Sequence, residues 1–323
     1  MKQEYSLCVK VAGVKIRFTS DMEVDICNLQ ILFKHHLTHD CGPEGTFHPV
    51  EIKTAFQPDI PNDARQVWEG LYHGIAGHRR EHLDTVKKYI SADGNTEYYL
   101  LKSGACITND LKNRCTTCTL LNKRKLLSKL VRTNIGSAII LLIHTIMSYH
   151  RRYSLHAAAV VWNERAIIFT GKSGQGKSTL STDLAAQGVG FLGDDIVFIY
   201  QENGQLRIAS LLFDAKLYES SQQDKDYVDI LIRYAGKRYD DAPLQAIACL
   251  EQTREGESVV EQTNDEDLLL HTFLQSANNI ALQHDHEDWM TVCARVMELG
   301  RLYTFRFGDR KLLNAKILDR FYE

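Results

Sequence analysis

The chain has 323 residues, 44% hydrophobic and 24% charged, a composition that suits two modest folded domains and excludes a disordered or fibrous protein. With Lys+Arg 38 against Asp+Glu 41 the formal charge is −3, so neither a nucleic-acid nor an anionic-membrane partner is predicted. Eight unframed cysteines, behind a start without the apolar core of a secretory signal, predict reduced thiols and a cytoplasmic location.

In chain order, Tyr5 to Thr19 alternates weakly around Gly13 and predicts a hairpin. Val67, Leu71 and Ile75 fall at helical spacing behind Asn62 or Asp63, so Asn62 to Gly74 is predicted as a helix. Glu97 to Thr108, after the turn signal Asp93-Gly94-Asn95, reads as strand. Lys123 to Tyr149 reads as one long helix, apolar all round in its second half. It is too short in its apolar part to cross a bilayer, so it is predicted as a buried helix under the following domain. Asn163-Glu164 is read as a two-residue turn that pairs 157–162 with 165–170, and Asn203-Gly204 as the turn between Ile196–Tyr200 and Leu206–Ser210. Leu244–Leu250 is a predicted strand, partnered by Ser258–Glu261 across the Glu255-Gly256 turn. Asp265–Ala277 and Asp285–Leu299 are predicted helices, Arg301–Phe307 a strand, and Asp309–Phe321 an amphipathic terminal helix. The domain division is placed at 1–123 and 124–323.

The densest chemistry lies in Gly171-Lys172-Ser173-Gly174-Gln175-Gly176-Lys177-Ser178-Thr179, which fits G-x-x-x-x-G-K-[ST] at every fixed position. An apolar run, Ala166–Thr170, precedes it, and a helical stretch, Ser178–Ala186, follows and stops at Gly188. Strand, glycine loop and helix together direct backbone N–H groups and the helix dipole at a phosphate. Lys177 is expected at the β- and γ-phosphates and Ser178 on Mg²⁺. Further on, Asp194-Asp195 ends the apolar run Val189–Leu192, where phosphoryl transfer needs a proton acceptor and a metal-side carboxylate. Adjacent residues of an extended chain face opposite sides, so the pair can serve both needs. The predicted hairpin register sets His156 opposite Gly171, at the mouth of the loop.

His156, Gly171–Ser178 and Asp194-Asp195 together resemble the catalytic core of the HPr serine kinase/phosphorylase family, in spacing as well as in type. The resemblance covers about residues 153–200 closely and the rest of the C-terminal region more loosely. It implies an α/β fold with a mixed sheet and P-loop, shared with ATP-dependent phosphoenolpyruvate carboxykinases, behind an N-terminal region of mixed α/β structure. It also implies ATP and Mg²⁺ as cofactors and a protein or peptide serine or threonine as acceptor. Asp194 would be the base, His156 its partner, Lys177 a phosphate ligand, and Ser178 and Asp195 metal-side oxygens. A further acidic metal contact would fall on Asp214. Thr179-Leu180 stands where HPr kinases carry Glu-Thr, and the family's downstream arginine- and glycine-containing segment has no counterpart. On both points the chain is more similar to the divergent HPr-kinase-like proteins found beside peptide-modification systems.

A small-molecule hydroxyl kinase would use the same residues, and a nucleotide switch would need the loop without Asp194. The oligomeric state is left open. His35, His36, His39, Cys41 and His48 read as a polar loop in preference to a metal site, and Cys115-x-x-Cys118 lacks the second pair of a zinc ribbon. His284–Asp288 reads as an acidic helix start. Lys237 and Arg238 are candidates for reaching the transferring phosphoryl group.

Overall fold

The computed structural model describes residues 4–39, 41–55, 58–72, 84–102, 105–121, 134–172, 174–211, 214–218, 225–234, 237–253, 255–263 and 286–323 as a mixed α/β protein. The chain divides into two compact units between His150 and Arg151.

In the first unit, β1 (Tyr5–Val11) and β2 (Val14–Ser20) form the expected hairpin, with Ala12 and Gly13 both left-handed at the turn. The alternating Val9, Val11, Val14, Ile16 and Phe18 are buried. They face α1 (Glu23–Leu32), and Phe33 just beyond it stacks on Phe18 at 5.6 Å. The sheet continues with β3 (His48–Ala55), β4 (Arg65–Tyr72), β5 (Asp84–Ile90), β6 (Thr96–Leu101), β7 (Cys106–Asp110) and β8 (Cys115–Leu121). Its spatial order is β1-β2-β3-β8-β7-β6-β5-β4.

Two expectations fail here. The segment predicted as a helix from Asn62 is strand β4, paired antiparallel to β5 with a bulge between Gln66 and Trp68. Val67, the first residue of the supposed apolar stripe, is exposed. The run Arg-Gln-Val-Trp-Glu-Gly-Leu-Tyr suits a pleated edge better than a helix. The single strand predicted for Glu97–Thr108 is two, β6 and β7, paired to each other.

The buried helix is α2 (Asn134–Tyr149), with Ala138 to Ser148 inaccessible on every side. It packs on β7 and groups with the first unit, so the helix expected to open the second domain closes the first. Its predicted first turns, 123–133, lie outside the described residues.

The second unit begins with β9 (Tyr153–Leu155), β10 (Ala158–Trp162) and β11 (Arg165–Thr170). Asn163 and Glu164, both at positive φ, make the predicted two-residue turn, with Ala158 opposite Phe169. Then follow α3 (Lys177–Ala186), β12 (Gly190–Gly193) and the hairpin β13 (Val197–Glu202) and β14 (Gln205–Ser210), which turns at Asn203-Gly204. A separate ribbon, β15 (Asp214–Tyr218) and β16 (Lys225–Asp229), precedes the short α4 (Ile230–Tyr234). The long β17 (Asp241–Gln252), β18 (Val259–Gln262), α5 (His286–Glu298) and β19 (Leu302–Phe307) complete the regular elements.

The strand expected to pair with Leu244–Leu250 is β18, but its partner is β19, which runs parallel to β17 between them. The terminal amphipathic helix is instead two 3₁₀ turns, Arg310–Leu312 and Ala315–Tyr322, capped separately by the side chains of Asp309 and Asn314. Leu313, extended between them, interrupts the helix. The predicted helix Asp265–Ala277 lies outside the described residues.

The main path of this sheet runs β12-β10-β11-β17-β14-β13-β9. β17 carries β11 on one edge. Its other edge carries β14 along the first residues and β19 along the last, so the sheet forks there. Both faces are covered. Val161, Ile168, Val197, Ile199 and Leu244 pack with Trp289, Val292 and Val296 of α5. Val160, Ile167 and Phe169 pack with Leu180 and Leu184 of α3 and with Leu318 and Phe321. At roughly 1.5–3 kcal/mol for each large apolar side chain removed from water, these layers hold α3 firmly on the sheet.

The order has a geometric corollary. β9 and β12 are the two ends of the path, yet only His156 and Ala157 separate β9 from β10, and only residues 194–196 separate β12 from β13. So few residues cannot span an open sheet of seven strands, so the sheet curls until its ends meet. His156 and Asp194-Asp195 stand at the two crossings of that seam.

Candidate active site

The glycine loop is fixed from both sides. β11 delivers the chain at Thr170, and α3 starts at Lys177 with left-handed Gly176, φ 91°, as its N-cap. A Cβ on Gly176 would meet the Phe307 ring at 3.4 Å, an ordinary van der Waals contact, so the left-handed backbone is what calls for glycine there. Gly171 and Gly174 are also at positive φ. At its far end α3 closes with Val189 N–H donating to Leu184 O and Gly188 N–H to Ala185 O. These are the paired bonds of a Schellman stop, with Gly188 left-handed as expected.

Lys177 is buried, and its Nζ donates to the carbonyls of Gly171 at 2.7 Å and Lys172 at 3.2 Å. The ammonium therefore lies inside the curve of the loop. Lys172 is exposed, while Gln175 and Thr179 are half-buried. Ser173 lies outside the described residues.

Ser178, in the first turn of α3, hydrogen-bonds the Asp194 carboxylate. Asp194 is 2% exposed, and burial, with the neighbouring Asp195 charge second, pushes its carboxyl up to about 6. The bonds from Ser178 and the Asp195 N–H, together with His156, offset part of that rise.

Asp195 is different. Its φ is 68°, and Ile196 N–H donates across it to Asp194 O at 2.8 Å, a left-handed γ-turn of the rarer, strained kind. The turn lifts the Asp195 carboxylate out of the sheet to 27% exposure, where His156 Nε2 lies 3.1 Å from Oδ1. His156 thus reaches Asp195, whereas the sequence paired it with Asp194.

The two carboxylates consequently occupy unlike environments, one dry against Ser178 and one open beside a histidine. Ser178 and Asp194 provide two hard oxygens beside the glycine loop, donors of the chemical kind that suits Mg²⁺ when further oxygens complete its shell. Among the described residues no group of three or more His, Cys, Asp or Glu is placed to hold a metal ion. Asp214 opens β15 opposite Asp229, and its side chain lies outside the described residues.

The remaining candidates are not brought to this site. Lys237 bridges to Glu164 at the far end of the β10–β11 hairpin and lies over the Tyr239 ring, and Arg238 pairs with Asp240. Cys115 and Cys118, three apart on β8, fall on opposite faces, and burial pushes the Cys118 thiol up to about 12. His36 bonds Lys10 O, and His48 is sequestered between Thr116 Oγ1 at 2.9 Å and His150 at 3.2 Å. Contrary to the expectation of reduced thiols throughout, Cys41 is joined to Cys8 in a disulfide. Backbone bonds from Lys10 N–H to His36 O and from Thr38 N–H to Cys8 O bring the two together. His284 and Asp285 lie outside the described residues. Sequence reasoning missed Phe307, whose contact with the loop exists only because β19 lies beside β17.

No family model matches the chain, and no curated protein matches it. Among solved structures, the Hpr(Ser) kinase/phosphatase from Coxiella burnetii aligns over 38% of this chain and 93% of that chain, at 17% identity and a TM-score of 0.28. The likeness is very remote and decides nothing about activity. No helix among the described residues is long and apolar enough to cross a membrane.

Proposed function

We propose that this chain is an ATP- and Mg²⁺-dependent kinase that transfers the γ-phosphoryl group to a serine or threonine hydroxyl of a protein or peptide. One arrangement supports the reading. At the seam of the curled sheet, directly over the N-terminus of α3, a Ser178–Asp194 pair and a His156–Asp195 pair stand side by side behind a glycine loop that encloses Lys177.

In this reading the loop N–H groups and Lys177 bind and orient the triphosphate. Ser178 and Asp194 would hold Mg²⁺, which when bound neutralises charge on the β- and γ-phosphates. Asp195, the exposed carboxylate, takes the proton of the acceptor hydroxyl as its oxygen bonds to the γ-phosphorus. The bond from that phosphorus to the β,γ-bridging oxygen breaks, and ADP leaves. His156 holds Asp195 in position. The two aspartates thus exchange the roles expected from the sequence, because Asp195 is the carboxylate open to a substrate oxygen while Asp194 faces Ser178 at the start of α3.

The test is incubation with γ-labelled ATP, Mg²⁺, and pools of serine- and threonine-containing peptides beside a set of small hydroxyl compounds. Labelled peptide is expected, and Asp195→Asn should lower its formation about 10²–10⁴-fold while still binding Mg·ATP. Labelling of small hydroxyl compounds alone would overturn the acceptor class. Full turnover by Asp195→Asn with loss in Asp194→Asn would restore the original roles.

A further inference from the structure

Gln175 lies between two left-handed glycines, Gly174 and Gly176, and its N–H donates to Lys172 O at 3.3 Å. Its side chain does not extend into solvent. It folds back across the loop until Oε1 occupies the space that a Cβ on Gly171 would fill, and Leu250 O at the end of β17 borders the same space at 3.1 Å. Oε1 is buried there and has no hydrogen-bond partner among the described residues. On the same inner side, Lys177 Nζ is bonded to the Gly171 and Lys172 carbonyls. The side chains of Gln175 and Lys177 are therefore both folded onto the first two residues of the loop, while Lys172 is exposed.

A buried carbonyl oxygen without a donor is disfavoured, and the carboxamide carries the remedy on the same pivot, because Nε2 has two N–H donors. A phosphate is an acceptor only. When it enters, Lys177 has cause to leave the two carbonyls, and a swing of the Gln175 carboxamide off Gly171 exchanges an orphaned acceptor for a satisfied donor. Resting on the phosphate-loop reading above, we infer that Gln175 is a positioning residue that turns from Gly171 to donate an Nε2–H bond to a phosphate oxygen of the bound nucleotide. Affinity for the nucleotide and the stability of the empty loop are then set against each other through one side chain.

The experiment compares wild type, Gln175→Leu and Gln175→Glu, each melted alone and titrated calorimetrically with Mg²⁺ and a non-hydrolysable ATP analogue. Leucine has no polar atom to orphan, so the free Gln175→Leu protein should melt higher than wild type. It should also bind the analogue about three- to tenfold more weakly, the worth of one hydrogen bond. Glutamate keeps the shape but offers only acceptors, so Gln175→Glu should bind more weakly still. Opposite movement of melting temperature and affinity is the signature that a mere filler would not give. Unchanged affinity in both variants, or a parallel fall of stability and affinity in Gln175→Leu, would overturn the inference while leaving the phosphate loop standing. Absence of binding by wild type would overturn both.

Discussion

Replacing Asp194 by asparagine should stabilise the second unit, and only at neutral pH. The carboxyl is fully buried, and its pKa is raised from 3.8 to about 6. A carboxyl with a raised folded pKa binds more protons when folded than when unfolded between those two values, so stability falls as pH rises through that window. Below about pH 3 the acid is protonated in both states and the penalty vanishes. Above pH 6 it is complete, and a shift of about two pKa units corresponds to roughly 3 kcal/mol. Asparagine keeps the shape and can still accept from Ser178 and from the Asp195 N–H, but it carries no charge. The gain of Asp194→Asn over wild type should therefore climb from near zero at about pH 3 to about 3 kcal/mol at pH 7. Urea unfolding in a Trp68→Phe background measures it, since Trp162 and Trp289 then report the second unit alone. A gain that does not change with pH, or a variant less stable than wild type at pH 7, would refute the reasoning.

The γ-turn makes a related prediction. Asp195→Gly removes a strain of about 1–3 kcal/mol at a cost in chain entropy of roughly 0.5–1, so it should melt slightly higher than wild type while losing the proposed phosphoryl transfer. A lower melting temperature would show that the left-handed conformation is unstrained. In the first unit, reduction of Cys8–Cys41, whose partners lie 33 residues apart, should cost roughly 3–4 kcal/mol. Melts with and without reductant, with Cys8→Ser as control, should show the loss in wild type and none in the variant.

What the sequence made legible was local. The Tyr5–Thr19 hairpin, the Asn163-Glu164 and Asn203-Gly204 turns, and the entry and exit of α3 each depend on a few adjacent residues whose conformational limits are strong. Val67 and Leu71 misled because a spacing of four also fits alternate residues of a strand, and only the exposed edge position of β4 separates the two readings. The unlike surroundings of Asp194 and Asp195 were illegible for a different reason. Alternation places the two carboxylates on opposite sides, but which one meets His156 follows from a γ-turn and from the closure of the seam. Phe307 beneath Gly176 and Cys8 bonded to Cys41 are likewise contacts between distant parts of the chain, with no local signal.

β17 also dictates when the sheet around the candidate site can close during synthesis. β10, β11 and β12 form one paired set, and β9, β13 and β14 another, and only β17 joins them by lying between β11 and β14. It is made after both sets, so in a nascent chain that has not reached Gln252 the two sets are joined only through the short crossings at His156-Ala157 and at residues 194–196. Long-range insertion of a central strand is a slow kind of step. The consequence is temporal: a ribosome-bound fragment carries the complete glycine loop in its sequence before the strand that completes the sheet beside it exists.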